Sequence, residues 1–237
     1  MGDRHTDSEA ALPLLAAAFL AQTGGAVPAA LPRHRHGLPR ETVRASQAMR
    51  IVSATAEVVA ERGYAATSVG AIVERAGVST RTFYELYADK EEAFLAAYAA
   101  IDVVIARMAK AAGAAEGPRE MLRAGVTTYL ETLAAEPAFT RMLVIEAVGA
   151  GPRVLQRRRE AFRDFVRTFA VPLKLARAAD PRLPTLDDAI LLAVLGGINE
   201  LVLQHVLEQG AATLAELAPT VDELIARAFL TAAPAAG

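Results

Sequence analysis

Between Arg40 and Lys90 the chain sets out side chains of the kind that meet a nucleic-acid duplex. Arg81 is flanked by Thr80, Thr82 and Tyr84, in a stretch whose apolar residues, Phe83 and Leu86, are three apart. On a helix those two turn inward and leave Thr80, Arg81, Thr82, Tyr84 and Glu85 on or near the outer face. A guanidinium presented there fits the two acceptors that guanine shows in the major groove. Thr67, Ser79, Tyr84, Tyr87 and Lys90 offer hydroxyls and an ammonium suited to phosphate oxygens, with helix amino ends adding backbone donors. Arg40, Thr42 and Arg44, upstream, would lie near the same sugar-phosphate backbone.

A second set of residues could hold a small molecule. Glu146 follows Leu143-Val144-Ile145, and Asn199 follows Gly196-Gly197-Ile198. A polar group buried without a partner is unfavourable, so each requires a bonded neighbour, a water or a ligand. Tyr129, Met142, Phe162, Phe165 and Phe169 lie on helices expected to face one another. Core packing accounts for most such residues. The functional alternative is an apolar cavity among them, with Glu146 and Asn199 as polar anchors for a mostly hydrophobic effector. Either anchor could instead face solvent or a subunit seam.

Catalytic chemistry finds no constellation. Phosphate-cradling, dinucleotide, zinc-protease and nucleophile-elbow motifs are all missing from the sequence. The four histidines are His5, His34, His36 and His205, and His205, with Glu200 and Glu208 near it, reads as a structural or solvated helix residue. With no cysteine there is neither a disulfide framework nor a thiolate metal site. The chain is therefore read as a non-enzyme with no cofactor and no metal.

The elements that must position these groups are helical. Of 237 residues, 53% are hydrophobic, rich in Ala and Leu, which favours helices over strands. The formal net charge of −2 argues against a wholesale basic coat. A DNA-binding patch would have to be local, drawn from Arg33, Arg35, Arg40, Arg44, Arg50, Arg81 and Lys90, with Glu41, Glu57, Glu61 and Glu85 interleaved. Arg40–Arg62 reads as a first helix ended by Gly63. Thr67 reads as the N-cap of a second, Gly77 as the residue of positive φ that ends it, and Ser79 as the cap of Thr80–Leu86. Asp89, with Glu92 three residues on, opens a third helix by a capping-box variant. Two short helices about a glycine turn, the second with a polar outer face, form a helix-turn-helix.

Asp89–Ala112 then reads as one long helix, with Phe94, Tyr98, Ile101, Ile105 and Met108 in a single stripe, a stiff connector to the rest. Further helices start at Gly117-Pro118, Pro137 and Arg153, the last carrying Arg157, Arg158, Arg159, Arg163 and Arg167 as a solvated face and kinked or ended at Pro172. Leu186–Gln209 and Thr213–Ala232 complete the chain. The apolar run Ala189–Ile198 is shorter than the roughly 20 residues a bilayer requires, and no membrane partner is expected. These two helices suggest a four-helix homodimer seam built from Gly197, Leu201, Leu217, Val221, Leu224 and Ala228.

The expected division is thus a flexible extension over residues 1–39, a DNA-binding unit over 40–88, and a helical effector-binding and dimerisation unit over 89–237. In the extension, Arg33-His34-Arg35-His36 reads equally as a solvated linker or as a basic arm reaching phosphates or the minor groove. Asp3, Asp7 and Glu9 outnumber Arg4 at the start, against an export signal and in favour of a cytoplasmic location.

Ala76-Gly77-Val78-Ser79, Phe83-Tyr84, Tyr87 and Asp89-Lys90-Glu91, with Gly63-Tyr64 and Thr67-Ser68-Val69 before them, resemble the signature of the TetR family of transcriptional regulators. The likeness runs from about Arg40 to Tyr98; Gly70 stands where the family usually has a polar helix former, and Tyr87 replaces the common Phe. The resemblance implies an all-α homodimer that binds double-stranded palindromic operator DNA, more commonly as a repressor, and is released by a small-molecule effector. The competing reading is an all-helical small-molecule-binding or interaction module without specific DNA readout. Salt-dependent, sequence-specific duplex binding separates the two.

Overall fold

The structure is a computed structural model that describes residues 14–16 and 39–231, and among these it contains helices and no strand. Helices α1 (Arg40–Arg62), α2 (Val69–Ala76) and α3 (Thr80–Leu86) form the amino-terminal unit. They enclose a small core of Ile51, Ala54, Ile72, Val73, Ala76, Phe83 and Ala93. Helices α4 (Lys90–Tyr98), α5 (Ala100–Gly113), α6 (Pro118–Ala134), α7 (Pro137–Val144), α8 (Pro152–Ala179), α9 (Asp188–Gln209) and α10 (Ala218–Phe229) build the larger body. The two cores meet along α1. Its Ile51 and Ala54 face the small core, while Val52, Ala56 and Val59 face the large one.

Local chemistry explains the turns that matter. Ser68 is extended and its hydroxyl accepts the Ala71 amide, so the cap of α2 is Ser68 and not Thr67. Gly77 ends α2 in the left-handed conformation at φ 61°, and a Cβ there would sit 2.8 Å from the Arg50 guanidinium. Arg50 needs that approach because it donates to the Ala76 carbonyl at the end of α2. Ser79 accepts the Thr82 amide to cap α3. Asp89 accepts the Glu92 amide at 2.7 Å, and Glu92 reaches back to the Ala88 amide. This is the capping box, displaced by one residue on its return bond.

Four expectations are corrected. The connector is not one helix but two, α4 and α5, joined at Ala99, where the Asp102 amide bonds to the carbonyl three residues back. Of the two expectations for Pro172, a kink or an end, the end is excluded: α8 runs on to Ala179 with the proline buried inside it. The last helix begins at Ala218, after a 3₁₀ turn at Leu214–Leu217, and ends at Phe229. Residues 14–16 do not lie outside the fold. Leu14 is 1% exposed within the large core, and its amide donates to Glu136 at 2.8 Å. Arg33, His34, Arg35, His36 and Ala232 fall outside the described residues.

Candidate DNA-reading face and internal cavity

α3 is held by Phe83, fully buried in the small core, so the opposite side of this short helix faces outward. Arg81 stands 88% exposed on that side, and Tyr84 is 57% exposed beside Thr80 and the half-buried Thr82. The Arg81 Nε donates to Glu85 Oε1 at 2.8 Å. An exposed i,i+4 pair of this kind is weak and opens readily to a competing acceptor. The Arg44 guanidinium donates to the Glu85 carbonyl at 3.2 Å, satisfying the carboxyl end of α3. Arg40 is exposed at the first position of α1, with Thr42 half-buried beyond it.

The remaining residues assigned to phosphates serve the fold first. Thr67 is buried, and its hydroxyl donates to the Gly63 carbonyl at 2.8 Å, so it is not presented to a ligand. The Lys90 ammonium donates to the Tyr64 and Thr67 carbonyls, both at 2.9 Å, and lies 4.3 Å from the Tyr64 ring centroid. Two of its three protons are spent there. Tyr87 packs on Phe83, and burial, then the Glu92 carboxylate, push its phenol up to about 12.

The internal cavity lies among α4, α5, α6, α8 and α9. Tyr129, Phe162, Phe165, Phe169 and Asn199 line it, as the sequence suggests, together with Tyr98, Ile101, Leu195 and Arg158. Its volume is about 40 Å³. Two expected members are elsewhere. Met142 is fully buried in the core and does not reach the cavity. Glu146 sits on a 3₁₀ turn, Glu146–Val148, and its Oε2 accepts the Tyr64 amide at 2.7 Å, which turns it away from the cavity. Arg158 was missed because it was read with its solvated neighbours. The signal was present. Arg158, Ala161, Phe162, Phe165 and Phe169 recur at helical spacing along one face of α8, whereas Arg159, Arg163 and Arg167 fall on the exposed side.

α8 also grips the head of α4 and the first turn of α5. Arg153, in its first turn, donates to Asp89 at 2.7 and 2.8 Å and to Glu91 at 2.8 Å, and Arg157 pairs with Asp102. Burial would raise the Asp89 carboxyl, but the Glu92 amide and the Arg153 guanidinium outweigh it and hold the group below its ordinary range. Asp89 is the cap of α4, so the first turn of α8 and the amino end of α4 are tied at one carboxylate.

An apolar face remains uncovered. Ile190, Leu192 and Leu207 on α9 and Val171 and Leu175 on α8 are each at least half exposed. α9 is long and apolar enough to cross a membrane by length and composition, contrary to the shorter run expected, and 33% of its most apolar window is buried. Gly197 is exposed with open space before it, and Leu201 is half-buried. The rest of the expected seam, at the 3₁₀ turn and on α10, is less open. Val221 is 0% exposed, and Leu217, Leu224 and Ala228 pack against the large core.

Residues 51–97 match the tetR family of bacterial regulatory proteins. Among solved structures, the fatty acid degradation regulator FadR from Bacillus halodurans is similar at 20% identity, with a TM-score of 0.69, covering 76% of this chain and 94% of that one. FadR from Bacillus subtilis, solved in complex with stearoyl-CoA, is similar at 23% identity, with a TM-score of 0.68 and coverage of 75% and 96%. A TetR family transcription regulator from Marinobacter aquaeolei VT8 is similar at 21% identity, with a TM-score of 0.63 and coverage of 80% and 98%. No curated protein matches the sequence. At these identities the likeness is one of fold, and it joins a family match that falls on α1–α4. The amino-terminal unit thus matches the tetR family of bacterial regulatory proteins over residues 51–97, and the all-helical body behind it shares its fold with solved TetR-family regulators.

Proposed function

We propose that this protein is a cytoplasmic, non-catalytic transcriptional regulator, acting as a repressor, that binds a palindromic operator as a homodimer. The observation that carries the reading is α3, pinned by Phe83 with Arg81 and Tyr84 turned outward beyond a glycine turn. Arg81 reads a base edge, most simply guanine. Ser79, Thr80, Thr82 and Tyr84, with Arg40, Thr42 and Arg44, lie against the sugar-phosphate backbone. Residues 40–88 serve as the DNA-binding unit and 89–237 as the effector-binding and dimerisation unit.

The dimer forms on the uncovered face of α9 and the adjoining end of α8, not on α10. Asp188, Glu200 and Glu208 on α9, and the packing of Leu191, Leu195, Ile198 and Val202 into the core, favour a second copy of the chain over a bilayer. Two α3 helices set about 34 Å apart would then enter successive major grooves.

A small, mostly apolar effector occupies the cavity. Stearoyl-CoA is bound by the Bacillus subtilis relative, which supports a lipid-like ligand class here. The effector acts through α8, whose middle lines the cavity and whose first turn holds Asp89 and Glu91 at the head of α4. Regulation requires different affinity for the two arrangements, since tight binding alone shifts nothing.

Selection of bound duplexes from a random pool tests the reading. A palindromic consensus, bound with steep salt dependence, is the expected result. Binding without sequence preference would favour the interaction-module alternative.

A further inference from the structure

Four polar side chains open on the cavity, and none makes a hydrogen bond or ion pair among the described residues. They are the Arg158 guanidinium, the Tyr98 and Tyr129 hydroxyls and the Asn199 amide. Arg158 is half-buried and makes no ion pair among the described residues; its guanidinium carbon lies 4.5 Å from the centroid of the Phe162 ring. Tyr98 and Tyr129 are 2% and 9% exposed, yet neither hydroxyl makes a hydrogen bond among the described residues. Among the described residues, no buried side-chain nitrogen or oxygen is both sealed and unbonded. The two hydroxyls therefore face the cavity space rather than the packed core. All four groups can donate, and one of them carries a permanent positive charge. The rest of the wall is apolar: Ile101, Val126, Phe162, Phe165, Phe169 and Leu195.

A half-buried cation without a carboxylate partner is unfavourable, and donors unmatched by acceptors are unfavourable as well. The complement of this wall is an acceptor-rich anion on an apolar body. We infer that the cavity takes a carboxylate-bearing apolar molecule, its headgroup held by Arg158, Tyr98, Tyr129 and Asn199 and its tail laid among the phenylalanines of α8. This inference rests on the effector reading of the same cavity and names the ligand's chemistry. A carboxylate suits it because two oxygens match the guanidinium fork. It also suits the space. The cavity of about 40 Å³ holds more than the roughly 10–15 Å³ one water needs, enough to seat a small headgroup. A tail entering it must part α8 from α9, which is the displacement that the ties of Arg153 and Arg157 would carry to α4 and α5.

The test uses four ten-carbon probes, decanoate, decanol, decylamine and decanoyl-CoA, read by calorimetric binding and by release of the selected operator. Decanoate should bind at least about tenfold tighter than decanol, with decylamine weaker still. Arg158→Ala, checked for fold by circular dichroism, should bind decanoate and decanol alike, and Arg158→Lys should keep part of the preference. Equal binding of decanoate and decanol by the wild-type protein, or an intact preference in Arg158→Ala, overturns the inference. Binding of decanoyl-CoA but not decanoate also overturns it while leaving the effector reading standing. No binding and no release with any of the four removes the effector reading itself.

Discussion

Glu146 Oε2 accepts the backbone amide of Tyr64 at 2.7 Å, joining two turns that lie 82 residues apart in sequence. Gly63, at φ 77°, holds that amide outward, and a Cβ on it would come 3.4 Å from the same carboxylate. The Tyr64 carbonyl takes the Lys90 ammonium from the other side. The short link between α1 and α2 is thus fixed from the body by a carboxylate and from α4 by an ammonium. Lys90 and Glu146 act as structural clamps on the DNA-reading unit.

Removing the carboxylate leaves the Tyr64 amide without its acceptor. Glu146→Ala should destabilise the protein by about 1–2 kcal/mol in urea unfolding, with Glu146→Gln milder because the amide oxygen still accepts. Binding of a cavity ligand should be unchanged, since Glu146 faces away from it. A loss of ligand affinity as large as that of Arg158→Ala would contradict this placement.

Arg81 is the group expected to read sequence. Arg81→Ala should relax operator selectivity at one base pair by roughly tenfold to a hundredfold, in a binding assay against single-base operator variants. Glu85→Gln frees the guanidinium from its i,i+4 partner and removes a like charge facing the phosphates, so it should tighten binding to all duplexes. Unchanged selectivity in Arg81→Ala would assign the base contact to another residue.

The uncovered face of α9 makes a contrast between two substitutions. Leu192→Glu should leave the subunit folded but give a monomer by light scattering at micromolar concentration, with weakened operator binding. Val221→Glu places a charge in the core and should unfold the subunit outright. If Leu192→Glu remains a dimer with full operator affinity, the seam lies on another face.

Arg153 connects the cavity wall to the head of α4 without lining the cavity. Arg153→Ala should bind a cavity ligand as before, but much more of that ligand should be needed to release DNA. Its pairs are partly exposed, so the melting temperature should change little. Release curves identical to the wild-type protein would place the coupling elsewhere.

Tyrosine ionisation offers a check on the packing around the cavity. Burial, first, pushes the Tyr98 phenol up to about 12, and Tyr87 likewise. Burial also raises Tyr129. A phenol whose folded value is raised favours the folded state fully below its ordinary value of about 10, and that stability is lost as pH rises from there toward 12. Absorbance at the phenolate band should therefore rise late, in step with alkaline unfolding. Tyr98→Phe should move the onset of unfolding to higher pH.

What could be read from sequence was mostly local. Gly77, Ser79 and Asp89 each act within three residues of themselves, so their spacing carries the turn and both caps. The shift from Thr67 to Ser68 is a one-residue difference between two hydroxyl residues that sequence alone ranks alike. The break at Ala99 leaves no mark among the alanines around it, because it is made by a change of hydrogen-bond partner rather than by a residue type. The partner of Glu146 was illegible for a different reason: it is a backbone amide from a distant turn. Arg158 was legible, since it shares the period of Phe162 and Phe165, but its charge drew it into the reading of its solvated neighbours.

Leu14 gives the amino-terminal extension a practical meaning. A version of this protein trimmed to begin at Arg40, where the family likeness starts, would pull a leucine from the large core and strip Glu136 of the amide it accepts. Vacating such a site costs about 2–5 kcal/mol, a large share of an ordinary domain's stability. The trimmed protein would report on a damaged body rather than on an isolated DNA-binding machine, and a truncation meant to preserve the body has to keep Leu14.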